Sequence, residues 1–203
     1  MTGRFPIEDV MPVVAGGDYA AKAVVGEHVP ISAVSYREGH DALGMTVAWR
    51  GPDGPKPAVR LSPGAPGTDT WQGTIQPDAV GAWEFSVESF SDPYLTWRHA
   101  VIAKIDAGQG PEDLANDLAK GAAIFDLAIK GAPDEYAAEL TAAADALRDS
   151  TADLGDRVEP AIDLAPVLWD YPVRELVTAS AAYPLWVDRD LALFSAWYEM
   201  FPR

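Results

Sequence analysis

Three histidines, His28, His40 and His99, are the side chains best suited to acid–base or metal chemistry near neutral pH, and none stands at metal-ligand spacing to another. Structural roles suit them better. The chain has no cysteine, which excludes a disulfide framework and any thiolate metal site. No serine sits in a nucleophile elbow, and no glycine-rich loop precedes a lysine at phosphate-binding spacing. Gly64-Ala65-Pro66-Gly67 places a proline where such a cradle needs free N–H groups. The abundant carboxylates invite a glycoside-cleaving pair, one acid and one nucleophile. Between residues 106 and 163, however, nearly all fall on the polar faces of predicted helices, which reads as solvation. Seven tryptophans raise sugar stacking, yet Trp49, Trp71, Trp83 and Trp97 take the inward parity of their predicted strands, as core residues do. No residue is assigned as catalytic, cofactor-binding or metal-binding, and no cofactor is implied.

The elements that hold these residues follow from composition and period. A chain of 203 residues with 48% hydrophobic side chains is long enough to bury a core. The net charge of −16 argues against a nucleic-acid partner, because phosphate-backbone affinity rests on Lys and Arg. No uncharged apolar run approaches the roughly 18 residues of a membrane-spanning helix, and no signal-peptide pattern opens the chain, so a cytosolic protein without a membrane partner is expected. Residues 1 to 105 carry 8 basic and 12 acidic side chains, and residues 106 to 203 carry 7 and 19. That shift predicts a domain boundary near Asp106 to Gly110.

Before the boundary the pattern is that of strands. Trp83, Phe85 and Val87 alternate with Glu84, Ser86 and Glu88, the period-two signature of a half-buried strand. Similar alternation marks Val29 to Ala33, Met45 to Trp49, Ala58 to Leu61 and Trp71 to Ile75. After the break at Ser91-Asp92-Pro93, the series Leu95, Trp97, His99, Val101, Ala103 and Ile105 predicts one more strand, antiparallel to the one before it. Arg4 to Val14 reads as an extended lead-in, Gly16-Gly17-Asp18 as a turn, and Ser62 to Gly67 as loop. About seven short strands within roughly 100 residues suggest an immunoglobulin-like β-sandwich. Asp78 to Trp83 resembles the corner before a late strand of such folds, with tryptophan where tyrosine often stands.

From Pro111 the period becomes helical, with Leu114, Leu118, Phe125 and Ile129 on one face and Gly131 as the stop. A second helix starts at Pro133, with Tyr136, Leu140, Ala143, Ala144 and Leu147 apolar and Asp145 and Asp149 solvated. Shorter helical pieces are predicted at Leu154 to Val158, Pro160 to Trp169 and Val173 to Val177. Tyr183 to Asp188 reverts to strand composition and is expected to return as an edge strand. The fold class is therefore α+β: an immunoglobulin-like β-sandwich over 1–107, followed by or interrupted by a small antiparallel helical bundle over 108–182, with 183–190 returning to the sandwich.

Four stretches carry a family resemblance: Tyr36-Arg37-Glu38-Gly39-His40-Asp41-Ala42, Glu88-Ser89-Phe90-Ser91-Asp92-Pro93 with Thr96-Trp97-Arg98-His99, Leu176-Val177-Thr178-Ala179-Ser180, and Trp197-Tyr198-Glu199-Met200-Phe201-Pro202-Arg203. In order and spacing they resemble the N-terminal part of the alpha-1,4-glucan:maltose-1-phosphate maltosyltransferases of the alpha-amylase superfamily. Met200 departs from the pattern, where an aromatic residue is more usual. The resemblance implies a cytosolic homodimeric enzyme that moves maltosyl units from alpha-maltose 1-phosphate onto alpha-1,4-glucans by a retaining double displacement. It also implies that the catalytic barrel begins at about Trp197, so that 191–203 is its start and its carboxylates are not among these residues. This chain is then expected to be a non-catalytic N-terminal fragment serving dimerisation and donor-site framing. An independent carbohydrate-binding or protein-interaction module is the competing expectation. The tail discriminates: Leu193, Trp197 and Phe201 lie on one strand parity and Phe194, Ala196, Tyr198 and Met200 on the other, which suits a barrel strand buried on both faces.

Overall fold

The computed structural model describes residues 3–194 and 199–201. They form an α+β chain with ten strands and five α-helices. Two compact units divide it: one holds Met1–Tyr36, Met45–Ser89 and Thr178–Arg203, the other Arg37–Gly44 and Phe90–Val177.

The first unit is a curled sheet. Its strands are β1 (Glu8–Met11), β2 (Ala21–Val24), β3 (Val29–Val34), β4 (Leu43–Gly51), β5 (Gly54–Pro55), β6 (Val59–Pro63), β7 (Thr70–Ile75), β8 (Gly81–Ser91), β9 (Glu175–Ala179) and β10 (Tyr183–Asp188). Neighbours run β1-β3-β7-β6-β4-β8-β10-β2, with β5 on β4 and β9 on β8. The β10–β2 pair is parallel, while β10–β8 and β3–β7 are antiparallel. Period two places the core: Ile31, Met45, Val47, Leu61, Phe85 and Val87 are buried together, and Glu84 is exposed. Because strands from both halves of the path feed one cluster, the sheet must curl to cover it. Gly54 closes the β4–β5 hairpin at φ 115°, a conformation that a Cβ disfavours.

Tryptophan ring N–H groups tie this core to the backbone. Trp83 Nε1 donates to Ala79 O at 2.9 Å, tying the start of β8 to the turn before it. The Trp83 ring stacks on Trp49 at 5.3 Å. Trp49 and Trp71 donate to Pro57 O and Ser35 O. The buried Ser35 hydroxyl donates to Pro6 O at 2.7 Å and lies 2.8 Å from Ser89 Oγ. Each hydroxyl has a single proton, so Ser89 is the donor in the serine pair.

The second unit contains α1 (Pro93–Asp106), α2 (Ala115–Ala128), α3 (Ala137–Arg148), α4 (Leu154–Asp163) and α5 (Ala165–Asp170). Tyr94, Trp97 and Phe125 form its aromatic centre, with Phe125 edge-on to Tyr94 at 5.9 Å and to Trp97 at 6.3 Å. Leu118, Leu140, Ala143, Ala144 and Leu147 are buried around them as their spacing predicts. Trp97 Nε1 donates to Asp117 O at 2.7 Å, and Gly121 leaves room for the indole: a Cβ there would meet it at 2.6 Å.

Several expectations are corrected. The strand predicted over residues 95–105 is helix α1, because Asp92 accepts from Leu95 N at 2.9 Å as N-cap and Pro93 occupies the first turn. Its buried positions 94, 97 and 101 follow helical spacing. The helical piece predicted at 173–177 is not formed: residues 175–177 belong to β9, with Leu176 at φ 54°, and 173–174 are irregular. Pro160 stands inside α4 without dividing it. Ser62 and Pro63, read as loop, pair with Gln72 and Trp71. The returning strand β10 lies between β8 and β2, so it is internal and not an edge. At the tail, Asp190–Leu193 is a 3-10 turn, and the expected strand through Trp197 and Tyr198 falls outside the described residues.

Candidate functional site

Two of the four resemblance motifs meet at the start of α1 within the second unit. Asp92 N donates to Ala42 O at 3.0 Å, and Ala42 N donates to Thr96 Oγ1 at 2.9 Å. Thr96 Oγ1 in turn donates to Asp92 O at 2.8 Å. One threonine hydroxyl thus pins the 37–42 loop to the first helical turn. Arg37 completes the clamp, reaching Ser91 Oγ at 2.9 Å through Nη1 and Asp41 Oδ2 at 2.8 Å through Nη2. Each bond of this kind to a charged group contributes about 1.5–3 kcal/mol where water is excluded, and less where, as here, Asp41 is exposed.

Beside the clamp is a cleft of about 250 Å³. Asp41, Ser91, Thr96, Lys120 and Glu175 give it a polar rim, and Ile124 and Leu127 an apolar wall. Hydroxyls, carboxylates and an ammonium beside aliphatic carbon suit a neutral polar molecule or a chain segment. Both carboxylates of the rim, Asp41 and Glu175, are exposed.

His28, His40 and His99 are all exposed, and the structure does not bring them together. Among the described residues no group of three or more His, Asp or Glu side chains could hold a metal ion. Trp83 and Trp97 are buried and Trp49 and Trp71 half-buried, with every one of these ring N–H groups bonded to a carbonyl. Trp186 is exposed on β10, and the Lys22 ammonium lies 5.7 Å from its ring centroid, covering one face. In the sequence the clamp residues stand out only as parts of the family motifs. One further signal is local: Ser91-Asp92-Pro93 is a helix start as well as a turn.

The third motif serves the sheet unit. Thr178 Oγ1 accepts from Phe5 N at 3.2 Å, and Ser180 Oγ accepts from Val87 N at 3.0 Å. Three of the four motifs therefore hold backbone in place, and of the fourth only Glu199, Met200 and Phe201 are described.

Comparison with known proteins places this scaffold in a class. Residues 3–189 match the family model for alpha-1,4-glucan:maltose-1-phosphate maltosyltransferase, domain N/S. The chain belongs to that maltosyltransferase family. It is 46% identical over 205 residues to the maltosyltransferase of Corynebacterium pseudotuberculosis, covering 100% of this chain and 30% of the relative. It is 44% identical to that of Mycobacterium tuberculosis, covering 99% and 32%, and 44% identical to maltosyltransferase 1 of Streptomyces coelicolor, covering 100% and 30%. The chain thus spans about a third of the length of these curated relatives. Among the described residues no helix is long and apolar enough to cross a membrane.

Proposed function

We propose that this chain is the N-terminal, non-catalytic part of a cytoplasmic maltosyltransferase that moves maltosyl units from alpha-maltose 1-phosphate to alpha-1,4-glucans. In a retaining double displacement an enzyme carboxylate attacks the anomeric carbon, phosphate leaves, and an acceptor hydroxyl then displaces the carboxylate. The reading assigns those carboxylates to the remainder of the relatives' length. The match of residues 3–189 to domain N/S is the observation that carries it. Within it, the curled sheet is an immunoglobulin-like sandwich, the helices are an antiparallel bundle inserted into its chain, and residues from about 191 onward begin the catalytic barrel. Together, sheet and helices serve homodimerisation and frame the donor site.

The direct test is phosphate release by the 203-residue chain incubated with maltose 1-phosphate and glycogen. Release at background is expected, and turnover by clean protein would overturn the reading. Dimerisation has its own test. The acidic helical region opposes self-association, and its repulsion is screened over about 8 Å in physiological salt. The mass by light scattering should therefore rise with salt, and a monomer at high protein and high salt would refute it.

A further inference from the structure

The cleft beside the clamp takes one stripe of α2: Lys120, Ala123, Ile124 and Leu127 all line it, at the i, i+3, i+4 and i+7 spacing that shares a helix face. Ser91, Asp41 and Glu175 add polar groups from other parts of the second unit. Ser91 is 8% exposed, and its Oγ accepts from Arg37 Nη1 at 2.9 Å. A hydroxyl also has a proton to donate, and among the described residues no acceptor takes that of Ser91. Burial removes the bulk water that would otherwise accept it, so the proton is a standing demand for an acceptor in the cleft.

Two opposite charges share the same cleft without meeting. Lys120 on α2 and Glu175 at the start of β9 both line it, yet among the described residues neither makes a hydrogen bond or an ion pair. One turn earlier on α2, Asp117 shows the usual outcome, pairing with Lys104 at 2.7 Å. Asp41 is engaged through one oxygen only: Oδ2 accepts from Arg37 Nη2, and Oδ1 has no donor among the described residues. Water satisfies an exposed charge, so either one alone would signal nothing. Together with the buried Ser91 proton they give one small cleft a donor side and an acceptor side, both open. Leu127, 46% exposed, adds apolar area beside them.

We propose that this cleft binds a small zwitterion, an α-amino acid with an aliphatic side chain. Its carboxylate accepts from Ser91 Oγ and pairs with Lys120, its ammonium donates to Glu175 and Asp41, and its side chain lies against Ile124 and Leu127. An anion would leave the two carboxylates facing their like, and a cation would leave Lys120 and the Ser91 proton unmet. A zwitterion answers both sides and adds no net charge to a chain already at −16. The volume of about 250 Å³ is just under the roughly 300–1,000 Å³ of clefts that hold drug-sized molecules, which limits the occupant to a single small residue.

Amide-resolved NMR titration of the 203-residue chain tests this, with leucine, N-acetyl-leucine, leucinamide and maltose as probes at constant ionic strength. Saturable shifts confined to residues 41–42, 91–96, 120–127 and 175 are expected for leucine. N-acetyl-leucine lacks the ammonium and leucinamide the carboxylate, so each should bind about tenfold more weakly or worse, the equivalent of ~1.4 kcal/mol. Lys120→Gln and Glu175→Gln change exposed side chains that have no partner to lose, so both variants should fold as the parent does and bind leucine about tenfold more weakly. Ser91→Ala is avoided because it also removes the acceptor of Arg37. The proposal is overturned if leucine does not saturate at millimolar concentration, if either blocked derivative binds as tightly as leucine, or if either variant binds as the parent chain does. Maltose shifting the same residues as tightly as leucine would assign the cleft to neutral polyols and overturn it as well.

Discussion

The sheet unit and the helical unit bury their aromatic side chains by different devices. In the sheet unit Trp83 stacks on Trp49 and bonds to Ala79 O, so a turn and two strands are held by one indole. In the helical unit Phe125 meets Tyr94 and Trp97 edge-on while those two rings lie tilted to each other, and small residues such as Gly121, Ala143 and Ala144 let the backbones approach. The first arrangement rests on pairing between distant parts of the chain. The second rests mainly on neighbours in sequence, as α2 against α3 and α3 against α4 show. Local contacts form quickly and distant ones slowly, so the two units should differ in folding rate.

The largest test of that contrast removes one buried ring from each unit. Phe85→Ala in β8 and Phe125→Ala in α2 each delete a side chain no more than 1% exposed, at an expected cost of about 3–5 kcal/mol. Thermal unfolding followed by residue-resolved probes in both units should show the loss concentrated in the mutated one. Equal loss in both would mean a single cooperative transition.

Glycines against indole rings give a smaller and more pointed comparison. A Cβ at Gly121 would meet Trp97 at 2.6 Å, and one at Gly51 would meet Trp83 at 2.6 Å. Gly121→Ala gains about 1 kcal/mol of helix propensity, so its net penalty should be less than that of Gly51→Ala, where overpacking of about 1–3 kcal/mol stands alone. Denaturant midpoints of the two variants decide it. A more stable Gly121→Ala protein would show that Trp97 has room to move.

The smallest effect is expected at high pH and only in the helical unit. Burial pushes the Tyr94 hydroxyl, which donates to Ala161 O at 3.0 Å, up to about 12. The unfolded chain releases that proton near pH 10, so the folded state holds it more tightly. Its contribution is complete below about pH 10 and falls as pH rises toward 12, with roughly 1 kcal/mol lost by pH 11. Tyr94→Phe should flatten that decline while lowering stability at neutral pH, because Ala161 O loses its donor. An unchanged alkaline slope in Tyr94→Phe would assign the decline to other groups.

How far the sequence could be read follows the same division. Parity placed Ile31, Val47, Phe85 and Val87 in the core, and helical spacing placed Leu118, Leu140 and Leu147. It failed at residues 95–105, where apolar side chains at every second position satisfied a strand template while Tyr94, Trp97 and Val101 satisfied a helix. The N-cap at Asp92 decided between them. The clamp was legible only as motif residues, because Arg37, Ala42 and Thr96 meet through tertiary pairing that no local period encodes. The burial of Arg157, whose Nη2 donates to Leu147 O, left no trace at all: an arginine in an acidic helical stretch reads as solvated until the packing is seen.

The place of β10 bears on how the chain emerges during synthesis. Its strand pairs with β2 in parallel and with β8 in antiparallel register, and in the strand order β2 has no other neighbour. Residues 21–24 must therefore wait for residues 185–188 to leave the ribosome, an interval on the order of ten seconds or more at ~5–20 residues per second. Over that interval the whole helical unit is made, and its contacts can close while the sheet still lacks a strand. A nascent chain halted before β10 would carry finished helices beside an open sheet with Ala21, Ala23 and Val24 uncovered, the species on which a chaperone or a protease would act first.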